Sequence, residues 1–140
     1  MTSSTIQFFT EDIDFDFKDA ENITAWLTDV CKQEETPLDV LSYIFCSDKY
    51  LLKINQDHLD HDYFTDVISF PYSTDVVEGD IFISIDRVRD NASTHSVEFS
   101  HELHRVMVHG LLHFLGYLDK SPEEKLLMTD KENFYLDQLS

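Results

Sequence analysis

A long apolar helix that ends at a glycine is the sequence feature that most constrains the fold. It covers roughly residues 97–115 and contains His109 and His113, four residues apart. A helix turns about 100° per residue, so it holds these two side chains about 40° apart on one face. Gly116 follows and suits the left-handed turn that ends many helices. The sequence therefore predicts a histidine-bearing helix followed by a sharp reversal of the chain.

Asp119 lies three residues beyond Gly116, where a chain that has just reversed can return toward the histidines. Two imidazoles and a carboxylate are competent ligands for a divalent metal, with one coordination position left open. The spacing therefore predicts a metal site formed by His109, His113 and Asp119.

Gly110 distinguishes this motif from the motif of zinc proteases. The spacing His-x3-His-x2-Gly-x2-Asp matches the long zinc-protease motif, in which a glutamate follows the first histidine as general base. Here that position is Gly110, which disfavours peptide hydrolysis by that mechanism. A glycine inside a helix costs about 1 kcal/mol relative to alanine. Two compatible explanations are close packing of the helix on a strand and exposure of backbone beside a substrate.

Glu102 and the other histidines are expected to have lesser roles. Glu102 lies two turns before His109, too far to replace the missing base, so we expect it to orient a ligand. His104 lies near the opposite side of the helix from His113 and is expected at the surface. We expect no ligand role for His104, nor for His58, His61 and His101.

The remaining segments indicate strands and helices in irregular alternation. Strand composition marks residues 5–10, 38–46, 66–71 and 79–85. Apolar periodicity and capping residues mark helices at residues 19–33, after residues 47 and 48, at 87–92, at 97–115 and from 121 to about 136. Residues 57–65 are predicted as a polar loop. This order is typical of a small α+β domain with one sheet.

Composition limits the compartment and the partners. A chain of 140 residues suits one domain covering residues 1–140. Cys31 and Cys46 lack metal-site spacing and are expected to be reduced core thiols. Residues 1–10 have no basic region and no long apolar run, so no signal peptide is expected there. The sequence contains no run of 18 apolar residues, and a cytoplasmic protein without membrane contact is therefore expected.

The acidic balance argues against binding of nucleic acid through the overall charge. The sequence has 28 acidic and 10 basic residues, a formal net charge of −18. Such a chain repels a polyanion at long range. RNA binding would therefore depend on a local basic patch or on the metal itself.

Several motifs together resemble one family. Residues 108–117 look like the signature of the YbeY family of bacterial metal-dependent endoribonucleases, which act in ribosomal RNA maturation. Residues 65–71 resemble its Thr-Asn/Asp-Val-Leu-Ser-Phe-Pro segment, and residues 79–84 its Gly-Asp-Ile strand. Ile54, Asn55 and Glu102 also fit. These matches occur in order over about half of the chain.

The resemblance implies the YbeY-like metallohydrolase fold, an α+β fold with a mixed sheet of about four strands surrounded by helices. It implies zinc at the base of a cleft, with His109 and His113 as the first two ligands. Ser69 and Gly110 are expected to line the substrate cleft. The implied function is single-strand-directed cleavage of RNA in 16S rRNA 3′ end processing and ribosome biogenesis, with rRNA precursors and the ribosome, not DNA, as partners.

Two residues depart from the family pattern. The family motif usually ends Tyr-Asp-His, and Asp119 takes the place of that last histidine. A carboxylate remains a competent ligand, but its added charge weakens the metal as a Lewis acid. Leu59 stands where the family usually has an arginine that would hold phosphate. Possible substitutes are Lys49, Lys53, Arg87, Arg89 and Arg105.

Three hypotheses follow from these observations. The leading one is the metal-dependent endoribonuclease, in which His109, His113 and Asp119 hold a catalytic metal. The second keeps the metal but changes the substrate to another small hydrolysable molecule, because of Leu59 and the acidic charge. The third is a non-catalytic ribosome-assembly module with a structural metal, whose removal would unfold the domain.

Overall fold

The computed structural model describes residues 5–59 and 65–139, without the side chains of residues 58 and 59. The described residues form four strands and five helices. The strands are β1 (Thr5–Thr10), β2 (Leu38–Cys46), β3 (Val67–Pro71) and β4 (Val77–Ser84). The helices are α1 (Ala20–Gln33), α2 (Asp48–Leu59), α3 (Ile85–Thr94), α4 (Phe99–Phe114) and α5 (Pro122–Leu136). Within residues 5–59 and 65–139, no helix is both long and apolar enough to cross a bilayer.

The strands form one mixed sheet in the order β1-β2-β4-β3. Strands β1, β2 and β4 are parallel, and the edge strand β3 runs antiparallel to β4. The prediction of an α+β fold with a single mixed four-stranded sheet is therefore confirmed. Strand β4 begins two residues earlier than predicted because Val77 pairs with Leu38 and donates its N–H to the Pro37 carbonyl at 2.8 Å.

The two faces of the sheet carry different layers of helices. Alternate residues of β2, including Tyr43 and Phe45, point into the larger core with α1, α4 and α5. Cys46, on the opposite face, packs with Leu51 of α2. Helix α4 lies centrally in the larger core, where the Tyr43 hydroxyl donates to the Met107 carbonyl at 2.9 Å. The histidine-bearing helix is thus fixed against the middle of the sheet.

Both cysteines are buried and reduced, as expected, and burial raises the pKa of each thiol to about 12. Helix α2 continues to Leu59, three residues into the segment predicted as a polar loop. Residues 60–64 of that predicted loop lie outside the described residues, as does the side chain of Leu59. Only its backbone position, at the end of α2, is therefore defined.

Candidate metal centre

Helix α4 lies close enough to the sheet to carry its histidines to the edge of β3. Gly110 makes this approach possible, because a Cβ atom there would lie 2.9 Å from Ile81 Cγ2 of β4. The Ser69 hydroxyl of β3 donates to the Gly110 carbonyl at 3.4 Å. Of the two explanations for this glycine, close packing of the helix on a strand accounts for the observed contacts. Gly110 was also expected to line the cleft, but it lies buried in this interface.

The chain reverses after α4 and brings Asp119 back to the histidines. Leu115 ends the helix, and Gly116 adopts a φ of +101°, which favours glycine. Ser121 then caps α5, and its backbone N–H donates to Glu124 Oε1 at 2.8 Å to complete a capping box. Asp119 therefore lies between two well-defined helix ends.

Three side-chain atoms converge in this turn. His109 Nε2 lies 3.0 Å from His113 Nε2 and 3.3 Å from Asp119 Oδ2, and His113 Nε2 lies 3.5 Å from the same oxygen. A tetrahedral zinc ion with ligand distances of about 2.05 Å has ligand–ligand edges of about 3.3 Å. The separations of the three atoms therefore fit one face of a zinc tetrahedron.

The hydrogen bonds behind the rings determine which nitrogen faces this point. His113 Nδ1 lies 3.0 Å from the Tyr117 carbonyl oxygen, which can only accept a hydrogen bond. His109 Nδ1 lies 2.6 Å from Glu132 Oε2. Both Nδ1 atoms therefore hold a proton, so in the neutral rings both Nε2 atoms present lone pairs. Two lone pairs and a carboxylate oxygen pointing at one place form a donor set suited to a divalent cation.

Glu132 supports His109, a role that the sequence interpretation did not identify. Its side chain is 8% exposed, and its second oxygen, Oε1, accepts from Arg105 Nη1 at 2.7 Å. Arg105 Nη2 in turn donates to Asn133 Oδ1 at 2.7 Å. A carboxylate that holds the far nitrogen of a ligating histidine fixes its tautomer and orientation.

Glu102, which we expected to orient a ligand, has a different partner. It is buried, and its Oε1 lies 3.7 Å from His95 Nδ1. The structure therefore places Glu132, and not Glu102, behind His109. Of the other α4 histidines, His101 is exposed, whereas His104, expected at the surface, is half-buried with its ring edge-on to Trp26.

The two histidines of this candidate site differ in pKa. Burial lowers the pKa of His109, but the hydrogen bond and charge of Glu132, with Asp119 and Asp66, outweigh burial and raise it above 6.5. Burial and the neighbouring His109 lower the pKa of His113. His113 therefore favours the neutral form that metal binding requires.

Tyr117 anchors the loop between α4 and α5, which carries Asp119, at two points. Its carbonyl accepts from His113, and its hydroxyl donates to Glu34 Oε1 at 2.7 Å. Glu34 also accepts from the Tyr135 hydroxyl and from Lys131 Nζ. Burial raises the pKa of Glu34, but the hydrogen bonds from Tyr135, Tyr117 and Lys131 together outweigh it and lower the pKa below 4.5. The loop is thereby tied to the end of α1.

A cavity of about 590 Å³ opens beside the three candidate ligand atoms. Ser69, which was expected to line the cleft, lies on its wall, and so do Asn55, Asp66 and Lys120. Burial raises the pKa of Asp66 above its ordinary value. Neither Asp66 nor Lys120 was singled out from the sequence, although Asp66 lies within the quoted segment 65–71 and Lys120 follows Asp119.

The five basic residues considered as substitutes for the family arginine lie elsewhere. Arg87 pairs with Asp48 at 3.1 Å and with Asp90, while Arg105 pairs with Glu132. Among the residues that the structure describes, the cavity wall includes none of the five, which are Lys49, Lys53, Arg87, Arg89 and Arg105.

Comparison with known proteins relates the whole chain to one group. The model of the family described as Endoribonuclease YbeY matches residues 5–140. A Cytophaga hutchinsonii protein named Endoribonuclease YbeY is 50% identical over 135 residues, covering 95% of this chain and 94% of its own length. A Flavobacterium psychrophilum protein of the same name is 49% identical over 126 residues, covering 89% and 90%.

A solved structure has the same fold. The solution structure of TM1509 from Thermotoga maritima superposes with a TM-score of 0.69 at 28% sequence identity. The match covers 96% of this chain and 89% of the other. The similarity therefore extends from the motif region to nearly the entire chain.

Proposed function

The chain belongs to the YbeY family of endoribonucleases, and from this we propose that it is a single-strand-directed, metal-dependent endoribonuclease of rRNA maturation. Its substrate would be an rRNA precursor, cleaved near the 3′ end of 16S rRNA during ribosome biogenesis in the cytoplasm. The metal would be zinc. Its partners would be RNA and a ribosomal subunit.

One observation supports the proposal that the activity depends on a metal. His109, His113 and Asp119 direct three acceptor atoms to one point on the wall of an open cavity, at separations that suit zinc. When bound there, zinc would supply Lewis-acid chemistry by polarising a phosphate oxygen, activating water, or both.

The protein's own residues would keep this arrangement fixed. Glu132 and the Tyr117 carbonyl hold the Nδ1 protons of the two histidines, so each Nε2 stays available as a ligand. Asp119 adds a negative charge that a third histidine would not. Asn55 and Ser69 present polar groups along the cavity wall where a substrate would lie.

The open cavity favours this role over a structural metal. Structural zinc sites usually have four protein ligands, whereas catalytic sites have three and leave one position open. Among the described residues, three candidate ligands form the group, and they border a cavity of about 590 Å³. This supports catalysis over the assembly-module hypothesis.

Cleavage of RNA by matched histidine variants tests the proposal. Zinc-loaded protein should cleave single-stranded RNA and an rRNA precursor, and His109→Ala should abolish that cleavage. His101→Ala makes the same change at an exposed position on the same helix and should cleave like the parent. Equal cleavage by His109→Ala and the parent would contradict the proposal. A panel of phosphoesters and amides, tested alongside, would detect the alternative small-substrate hydrolase.

Elemental analysis tests the third ligand separately. Asp119→Ala should retain much less metal per chain than the parent when both are purified in the same way. Full metal content in that variant would remove Asp119 from the ligand set.

A further inference from the structure

We propose that Lys120 binds a phosphate of the RNA chain next to the metal ligands. This inference rests on the proposed function and specifies how an acidic protein would hold an anionic substrate at the metal site. Lys120 follows Asp119 directly and lines the same cavity as the three ligand atoms.

The backbone of Lys120 is fixed while its side chain is available. Its N–H donates to Glu124 Oε1 at 3.1 Å, as an extension of the capping box of α5. The residue is exposed, and within residues 5–59 and 65–139 its ammonium group takes part in no ion pair or hydrogen bond. A lysine on a fixed backbone with an unpaired, flexible side chain can follow a phosphate as a point charge.

Several other cations of the protein already have partners. Arg87, Arg105 and Lys131 make ion pairs with carboxylates, and Arg89 lies over the ring of Phe99 at 5.5 Å. Of the described residues that line the cavity, Lys120 is the one lysine or arginine. The structure therefore offers one cationic side chain for a phosphate in this cavity.

The charge balance of the cavity depends on this residue. Asp66 and Asp119 carry two negative charges when ionised, which a divalent metal would neutralise without leaving any excess. Lys120 adds the positive charge that a phosphodiester would meet. Because salt limits charge interactions to about 8–10 Å, a local cation matters more at close range than the distant acidic surface. This accounts for anion binding by a chain with a net charge of −18.

The salt dependence of RNA binding tests the contact. The probe is a labelled 2′-O-methyl oligouridylate, bound to zinc-loaded protein and followed by fluorescence anisotropy at matched zinc content. Each phosphate contact to a single strand contributes about 0.7 to the slope of log affinity against log salt. Lys120→Ala should lower that slope by about 0.7. Over a tenfold range of salt, this is about a fivefold change in affinity relative to the parent.

Two variants serve as controls. Lys125→Ala removes the same charge from an exposed position on α5 away from the cavity and should keep the parent slope. Lys120→Arg retains the positive charge and should also show the same salt slope as the parent. An equal slope change in Lys120→Ala and Lys125→Ala, or no binding of the probe by the parent, would overturn the proposal.

Cleavage of unmodified RNA by the parent, measured in parallel, separates this inference from the proposed function. If the parent cleaves and Lys120→Ala keeps its salt slope, the phosphate contact is refuted and the endoribonuclease stands. If the slope depends on Lys120 but the parent does not cleave, the contact is supported and the endoribonuclease is refuted.

Discussion

Replacing Glu132 with glutamine tests whether the carboxylate behind His109 strengthens the metal site. Its two oxygens serve different donors, with Oε2 2.6 Å from His109 Nδ1 and Oε1 2.7 Å from Arg105 Nη1. Glutamine has the same shape but one acceptor oxygen, so one donor must face the amide NH2 group. The negative charge beside both donors is also lost.

The expected loss of zinc affinity can be estimated in two ways. A hydrogen bond to a charged group contributes about 1.5–3 kcal/mol, and Glu132 is too buried for water to replace the lost partner. Loss of a carboxylate that orients a ligating histidine typically weakens metal binding about 10- to 100-fold. That factor equals about 1.4–2.7 kcal/mol, so the two ranges overlap. We therefore expect the zinc Kd of Glu132→Gln to rise about 10- to 100-fold.

Two measurements separate binding from folding. Competition with a chromogenic chelator gives the zinc Kd, and urea unfolding with EDTA present gives the stability of the metal-free protein. The metal-free variant should lose about 1–3 kcal/mol of unfolding free energy. Glu123→Gln, at an exposed position in the first turn of α5, should leave the zinc Kd unchanged. A zinc Kd within about threefold of the parent in folded Glu132→Gln would refute the reasoning.

Two further predictions concern the surroundings of the site. The lowered pKa of Glu34 means that its stabilisation is present above pH 4.5 and is lost as the pH falls through the folded-state pKa. Glu34→Gln should therefore weaken the fall in metal-free stability between pH 7 and pH 3 measured by urea unfolding, and exposed Glu35→Gln should not. Gly110→Ala should lower the unfolding free energy by about 1 kcal/mol, because overpacking against Ile81 outweighs the gain in helix propensity. A more stable Gly110→Ala protein in urea unfolding would contradict the packing argument.

The convergence of the three candidate ligands could be predicted from sequence because its geometry is local. Helical spacing places His109 and His113 on one face, and Gly116 accounts for the return of Asp119. The strands and helices were also predictable, since apolar periodicity and capping residues mark most of their bounds. Helix propensity alone did not predict the last turn of α2, which reaches Leu59.

Residues brought together by packing left no local signal. Glu132 lies 23 positions from His109, and their contact depends on how α5 packs against α4. Glu102 had the right helix face, but it contacts His95 instead. The position of Lys120 on the cavity wall depends on the fold and leaves no signal in the sequence. Gly110 allowed two explanations until its distance to Ile81 favoured one.

The two anchors of Tyr117 have a consequence for how this chain can evolve. Its hydroxyl meets Glu34, which is 83 positions away and belongs to the end of a different helix. A mutation at position 34 therefore changes the selective value of the residues that share its carboxylate, Tyr117, Lys131 and Tyr135. These four positions should be inherited as a group, with accepted replacements at one of them accompanied by replacements at the others.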